Sequence, residues 1–224
     1  MTLIKDNIAV IEAQISQACK LSNRLNNEVT LLAVSKTKPN ELVEQAYEAG
    51  QRDFGESYVQ ESVEKIAQLS HLSELCWHFI GPIQSNKTRP IAENFSWVHS
   101  VDRIKIASRL NDHRSSQDTP LNVCLQINIS NENNKSGVLT IDLPELAQYV
   151  NNCDNLVLRG LMAIPEKNAS AMSFDEMKQI FSTLKITYPH IDTLSMGMSG
   201  DMEQAIISGS TMVRVGTAIF GARA

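Results

Sequence analysis

Apolar residues recur at Ile4, Ile8, Ile11, Ile15 and Ala18 near the start of the chain, with polar residues between them. Steps of three and four put these positions on one helical face, so the pattern predicts an opening amphipathic helix. Beyond it the period changes. Short apolar runs occupy Leu31–Ser35, Asp53–Gly55, Trp77–Ile80, Trp97–Val101, Asn122–Ile129, Leu156–Ile164, Thr193–Met196 and Met212–Val215. Helix-like stretches separate them, over Glu41–Ala49, Val59–Leu69, Asn86–Glu93, Arg103–Asn111, Leu143–Asn151, Ser173–Thr187 and Asp201–Ile207. Such alternation predicts parallel β-α-β units, whose strands read as near-continuous apolar runs because helices cover them. Eight runs after one preliminary helix predict an α/β protein, a single closed (β/α)8 barrel of TIM type over residues 1–224. An open doubly wound sheet is the alternative.

Local chemistry supports several boundaries. Pro39 and Asn40 precede the first crossover helix, where a fixed φ and a capping side chain favour helix entry. Gly50 and Gly209 follow helices, where a left-handed cap is easiest. Asp142 is placed to cap the helix beginning at Leu143, and Ser130–Ser136 reads as a long polar loop after strand five. No repeat, low-complexity tract or linker appears.

Composition narrows the functional classes. The chain has 224 residues, 42% apolar and 20% charged, the balance of an ordinary globular protein. A net charge of -5 gives no basic surface for nucleic acid or an anionic membrane. The opening MTLIKDNIAVIEAQISQ holds no long apolar run, so neither a signal peptide nor a membrane span is expected. Cys19, Cys76, Cys124 and Cys153 form no C-x-x-C pair and read as buried free thiols of a reducing, cytoplasmic compartment.

In a (β/α)8 barrel, functional groups gather where strands end. Strand one ends in Ser35-Lys36-Thr37-Lys38-Pro39. A lysine leaving an apolar strand has reason to lose its charge, and a neutral amine is the form that attacks an aldehyde. If the extended geometry continues, Lys38 points the same way and its repulsion adds to the effect. The plain alternative is that both lysines snorkel to water. Strand seven runs into Ser195-Met196-Gly197-Met198-Ser199-Gly200 before a helix, and strand eight into Arg214-Val215-Gly216-Thr217. Glycines that admit close approach, free N–H groups and the hydroxyls of Ser199 and Thr217 suit a phosphate. Phosphate sites in such barrels commonly use the loops after strands seven and eight. Each motif alone also fits an ordinary tight turn. Together with Lys36 they point to an aldehyde that carries a phosphate. His78 and His99 read first as structural histidines, and Met162, Met196, Met198 and Met202 as core filler. His78, Met162, Met196 and Gly197 are kept as second-tier pocket candidates. No trio of ligand-type residues has metal spacing, so no metal is expected.

The segments VSKTKP, FGESYVQE, WHFIGPIQSNK, INISNENNKSGV, LRGLMAIP, LSMGMSGDMEQAI and GSTMVRVGTAIFGAR resemble the YggS/PROSC family of pyridoxal 5'-phosphate (PLP) homeostasis proteins. The resemblance runs from about Leu31 to the C-terminus through long, ordered motifs. It implies one barrel related to the alanine racemase N-terminal domain, a fold type III PLP-binding barrel. It also implies an internal aldimine on Lys36, a phosphate cradle of Ser199, Gly216 and Thr217, and Arg214 facing the pyridine nitrogen. Two departures stand out: Ser57 where the family usually has Asn, and Gly200 where Asp is common.

PLP stabilises a carbanion best when its ring nitrogen is protonated. Arginine donates hydrogen bonds and keeps its own proton, so Arg214 would leave that nitrogen unprotonated and the electron sink weak. The related racemase compensates with a tyrosine base from a separate C-terminal domain. This chain ends at Ala224 without such a domain, and none of Tyr47, Tyr58, Tyr149 or Tyr188 is placed to replace it. The expectation is a carrier or buffer that supplies PLP-dependent enzymes, with no catalytic residues, acting as a monomer. A racemase-like enzyme of narrow or weak activity is the alternative, and a class I aldolase-type Schiff-base enzyme is the remoter one. Lys38, Lys87 and Lys135 are further candidates for transient PLP contact, with solvated surface lysines the simpler reading.

Overall fold

The computed structural model describes residues 3–129, 136–164 and 171–222. Its strands are β1 Thr30–Val34, β2 Asp53–Glu56, β3 Cys76–Phe79, β4 Trp97–Val101, β5 Leu121–Ile127, β6 Leu156–Ala163, β7 Thr193–Met198 and β8 Met212–Val215. They are hydrogen-bonded in chain order, all pairs are parallel, and β1 pairs with β8 to close the barrel. The open-sheet alternative is thereby removed. The helices are α1 Ile4–Leu21, α2 Asn40–Glu48, α3 Val59–Gln68, α4 Thr88–Asn94, α5 Ile104–Arg114, α6 Leu143–Asn151, α7 Ala171–Thr187, α8 Met202–Ile207 and α9 Thr217–Phe220.

The outer core lies between strands and helices, where Val43, Ala46, Ile91, Ile106, Leu110, Ala147 and Met177 are fully buried. Helix α1 sits outside the alternation. Its face of Ile4, Ile8, Ile11, Ile15 and Ala18 is buried, and it packs against α2, α8 and α9. Asn7 Nδ2 donates to the Ile219 carbonyl (2.8 Å), tying α1 to α9.

Some boundaries differ from the sequence reading. Strand β7 runs two residues further, to Met198, and α9 follows β8 where no helix was expected. A four-residue helix leaves too short a periodic pattern to read. Gly50 and Gly209 do adopt left-handed φ values, 100° and 97°. Asp142 occupies the N-cap position of α6 but is itself helical in backbone and makes no side-chain cap. Asn40 is likewise no cap; its Nδ2 donates to Gln68 Oε1 instead (2.5 Å). Lys135 and most of the Ser130–Ser136 loop lie outside the described residues. The four cysteines are free, with Cys76 and Cys153 only partly buried. Among the described residues no helix is long and apolar enough to cross a membrane.

Candidate functional site

At the C-terminal mouth, β1 hands the chain to Lys36 through a turn. Thr37 has φ of 63°, a left-handed conformation that a β-branched residue rarely adopts. Such a residue costs about 1–3 kcal/mol and persists only where its surroundings hold it. Here its N–H donates to Glu61 Oε1 (2.6 Å), and the Lys38 N–H closes the turn onto the Ser35 carbonyl (3.0 Å). The extended path expected through Lys36 and Lys38 is therefore corrected to a turn. Lys38 Nζ donates to the carbonyls of Gly221 (3.0 Å) and Ala222 (2.6 Å). Lys36 Nζ donates to Ser57 Oγ (3.3 Å), so the residue that departs from the family's Asn is a direct neighbour of the amine.

Behind this turn lies a buried ion pair. Lys65 Nζ donates to Glu56 Oε1 (2.7 Å), to the Ser35 carbonyl (2.8 Å) and to Glu61 Oε1 (3.2 Å). Ser35 Oγ donates to the same Glu56 oxygen (2.7 Å). Burial pushes the Glu56 carboxyl above its ordinary range, against the pull of the Lys65 ammonium. Its Oε2 has no hydrogen-bond partner among the described residues. Strand β2 and helix α3 thus hold the backbone that carries Lys36.

The other lip comes from the ends of β7 and β8. Lys36, Ser57, Ser199, Arg214, Gly216 and Thr217 line one cleft of about 320 Å³, with Val34, Ile80 and Ile164 as apolar wall. The Ser199 and Thr217 side chains are exposed, and no hydrogen bond within the described residues occupies their hydroxyls. A Cβ on Gly216 would stand 3.1 Å from the Val34 carbonyl oxygen, so glycine keeps this wall thin. Gly200 faces open space, where no side chain would be crowded. Arg214 is buried; Nη1 donates to the Ser195 carbonyl (2.8 Å) and hydroxyl (2.9 Å), and Nη2 to the Ala163 carbonyl (2.8 Å). Burial lowers its pKa to about 10, which still leaves it charged at neutral pH. A guanidinium has five donors, so two remain without a partner among the described residues.

The second-tier candidates sit elsewhere. Met162 and Met196 are fully buried and do not line the cleft. Gly197 (φ 94°) serves helix packing, since a Cβ there would meet the Ala205 side chain at 2.5 Å. His78 is enclosed inside the barrel. Its Nε2 faces Asp53 Oδ1 (3.0 Å) and its Nδ1 faces His99 Nε2 (2.9 Å). His99 Nδ1 in turn faces Ser195 Oγ (3.0 Å). Strands β4 and β7 are not neighbours, so this last contact crosses the barrel interior. Sequence spacing showed no metal-type trio, yet Asp53, Cys76 and His78 bring one ligand-type atom each within 4.8 Å. They come from two paired strands, which spacing along the chain hides. Burial, then the Asp53 charge, pushes the Cys76 thiol up to about 12 and keeps its proton in place.

Fold and site together define a (β/α)8 barrel with a lysine on one lip of its C-terminal mouth and anion donors on the other. The alanine racemase N-terminal domain family matches residues 9–224, and the chain belongs to it. Its relatives include the pyridoxal phosphate homeostasis protein of Escherichia coli, 54% identical over 229 residues, which cover 100% of this chain and 98% of that protein. PipY of Synechococcus elongatus, solved with PLP bound, is 35% identical with a TM-score of 0.78, over 92% of this chain and all of that one. A Bifidobacterium adolescentis protein of unknown function is 31% identical with a TM-score of 0.91, over 97% of this chain and 94% of that one.

Proposed function

We propose that this chain binds PLP as an imine on Lys36 and acts in PLP homeostasis, as a carrier that supplies PLP-dependent enzymes without efficient turnover of its own. One observation carries the reading: Lys36 shares a cleft with Arg214 and with Ser199 and Thr217, whose hydroxyls have no partner among the described residues. PLP brings an aldehyde that condenses with an amine, an anionic tail and a ring nitrogen, and each has a matching group here. Ser57 and the Thr37 turn aim Lys36 into the cleft. Ser199, Thr217 and the opening N–H groups of α9 donate to the tail. Arg214 donates to the ring nitrogen and leaves it without a proton, which disfavours carbanion chemistry. The names of the relatives and the PLP-bound PipY structure support the assignment.

The test is spectroscopic. Purified protein with PLP is expected to be yellow, and borohydride is expected to fix the pyridoxyl group on Lys36, as read by peptide mass spectrometry. A Lys36→Ala protein that keeps the imine absorption band overturns the assignment. Deuterium exchange at the α-carbon across a panel of amino acids separates the readings: rapid exchange marks a racemase-like enzyme, none a carrier.

A further inference from the structure

The barrel interior is crossed by one line of hydrogen bonds that the cleft alone does not require. It begins at Asp53, at the start of β2, whose side chain is 31% exposed at the N-terminal face. It runs through His78 on β3, His99 on β4 and Ser195 on β7, and ends at Arg214 on β8, in the wall of the opposite mouth. His78, His99 and Ser195 are all fully buried, so the bonds among them are shielded from solvent.

The chemistry of the two ends gives the line a direction. A carboxylate only accepts and a guanidinium only donates. His78 Nε2 therefore carries a proton toward Asp53. In a neutral ring its Nδ1 then accepts, which requires His99 to donate from Nε2. His99 Nδ1 is then an acceptor for the Ser195 hydroxyl, and Ser195 Oγ accepts from Arg214 Nη1. Burial lowers the pKa of both histidines, that of His99 furthest, which keeps both rings neutral. Trp97 stacks on His78 at a centroid distance of 5.3 Å and holds the ring plane. Reversing the line would set a lone pair of His78 against the Asp53 carboxylate.

We propose that Asp53 is a remote positioning residue for the cofactor cleft: through His78, His99 and Ser195 it fixes the direction of four consecutive hydrogen bonds, and with it the orientation of Arg214. Held this way, Arg214 spends Nη1 on Ser195 and keeps its place in the wall of the cleft. The cleft's role rests on the PLP reading above; the direction of the line does not.

Nitrogen-15 NMR of histidine-labelled protein without PLP reads which ring nitrogen carries each proton. Both His78 and His99 are expected as Nε2–H tautomers, and an Nδ1–H tautomer at either overturns the proposal. Asp53→Asn keeps the size, removes the charge and offers a donor. It is expected to give His99 a mixture of tautomers, to shift the absorption band of bound PLP and to weaken PLP binding about threefold to tenfold, the scale of one hydrogen bond. Unchanged tautomers and affinity in Asp53→Asn overturn the proposal. Ser195→Ala cuts the line midway, so adding Asp53→Asn there is expected to change affinity no further, whereas a full additive loss overturns it. If Asp53→Asn does not fold, Asp53→Glu retains the anion and is expected to retain both Nε2–H tautomers; their loss overturns the proposal. Wild-type protein that shows these tautomers yet holds no PLP refutes the functional reading and leaves the line standing.

Discussion

Replacing Lys65 with methionine tests whether the buried ion pair anchors the lysine-bearing turn. Lys65 is 4% exposed and Glu56 is fully buried, and their contact at 2.7 Å is the main compensation for the Glu56 charge. Lys65→Met keeps the apolar stem and removes three bonds at once, to Glu56, Glu61 and the Ser35 carbonyl. Glu56 is left with the Ser35 hydroxyl and an oxygen that already lacks a partner. Removing one member of such a pair costs about 3–5 kcal/mol, because the survivor is an uncompensated buried charge. At about 2–4 °C per kcal/mol for a chain of this size, the thermal midpoint is expected to fall about 6–20 °C. The variant with Lys65→Met and Glu56→Gln together is expected to recover most of this loss, since no charge is stranded. Thermal unfolding by circular dichroism at pH 7 measures both. A single variant that loses under about 1 kcal/mol, or a double variant no better than the single, refutes the argument.

The buried neutral histidines predict acid lability. Their folded pKa values lie below the unfolded value near 6.5, so below that pH the unfolded chain binds protons that the folded one refuses. Stability is therefore expected to be full above about pH 6.5 and to fall below it, with a limit of about 2.7 kcal/mol per pH unit for two such groups. Glu56 works the other way as pH falls toward 4.5, because its carboxyl is raised, so the net slope is shallower. Urea unfolding from pH 7 to 5 checks this, and a flat profile contradicts it. Gly160→Ala is expected to cost about 3–5 kcal/mol, because φ is 150° and a Cβ there would sit 1.9 Å from the Thr193 carbonyl oxygen; wild-type stability in that variant would show that the close packing of β6 on β7 yields easily.

The barrel was legible because its strands are near-continuous apolar runs and its helices are periodic, two patterns that do not mimic each other. The boundaries that slipped are those set by tertiary contact, such as the end of β7 beyond Met196 and the four residues of α9. Lys36, Ser199, Gly216 and Thr217 stood out because each follows an apolar run, and Arg214 because of the family resemblance; the structure places all five around one cleft. Strand-end position says nothing about what lies further down the same strands. Asp53, His78 and His99 sit within or at the start of strands, where residues two apart, as Cys76 with His78 and Trp97 with His99, share one face of the strand. That alternation was the available signal. The Thr37 turn had none, since nothing in Lys36-Thr37-Lys38 announces a left-handed threonine.

That turn has a consequence for any attempt to transplant the site. The chain beyond β1 does not continue the pleat past Lys36; it turns at Thr37, and that turn is clamped from α3. A lysine grafted onto the end of another barrel's first strand would arrive without this turn. A working graft has to import Glu61 with its helix as well, so the smallest portable unit here is a strand, a kink and the second crossover together.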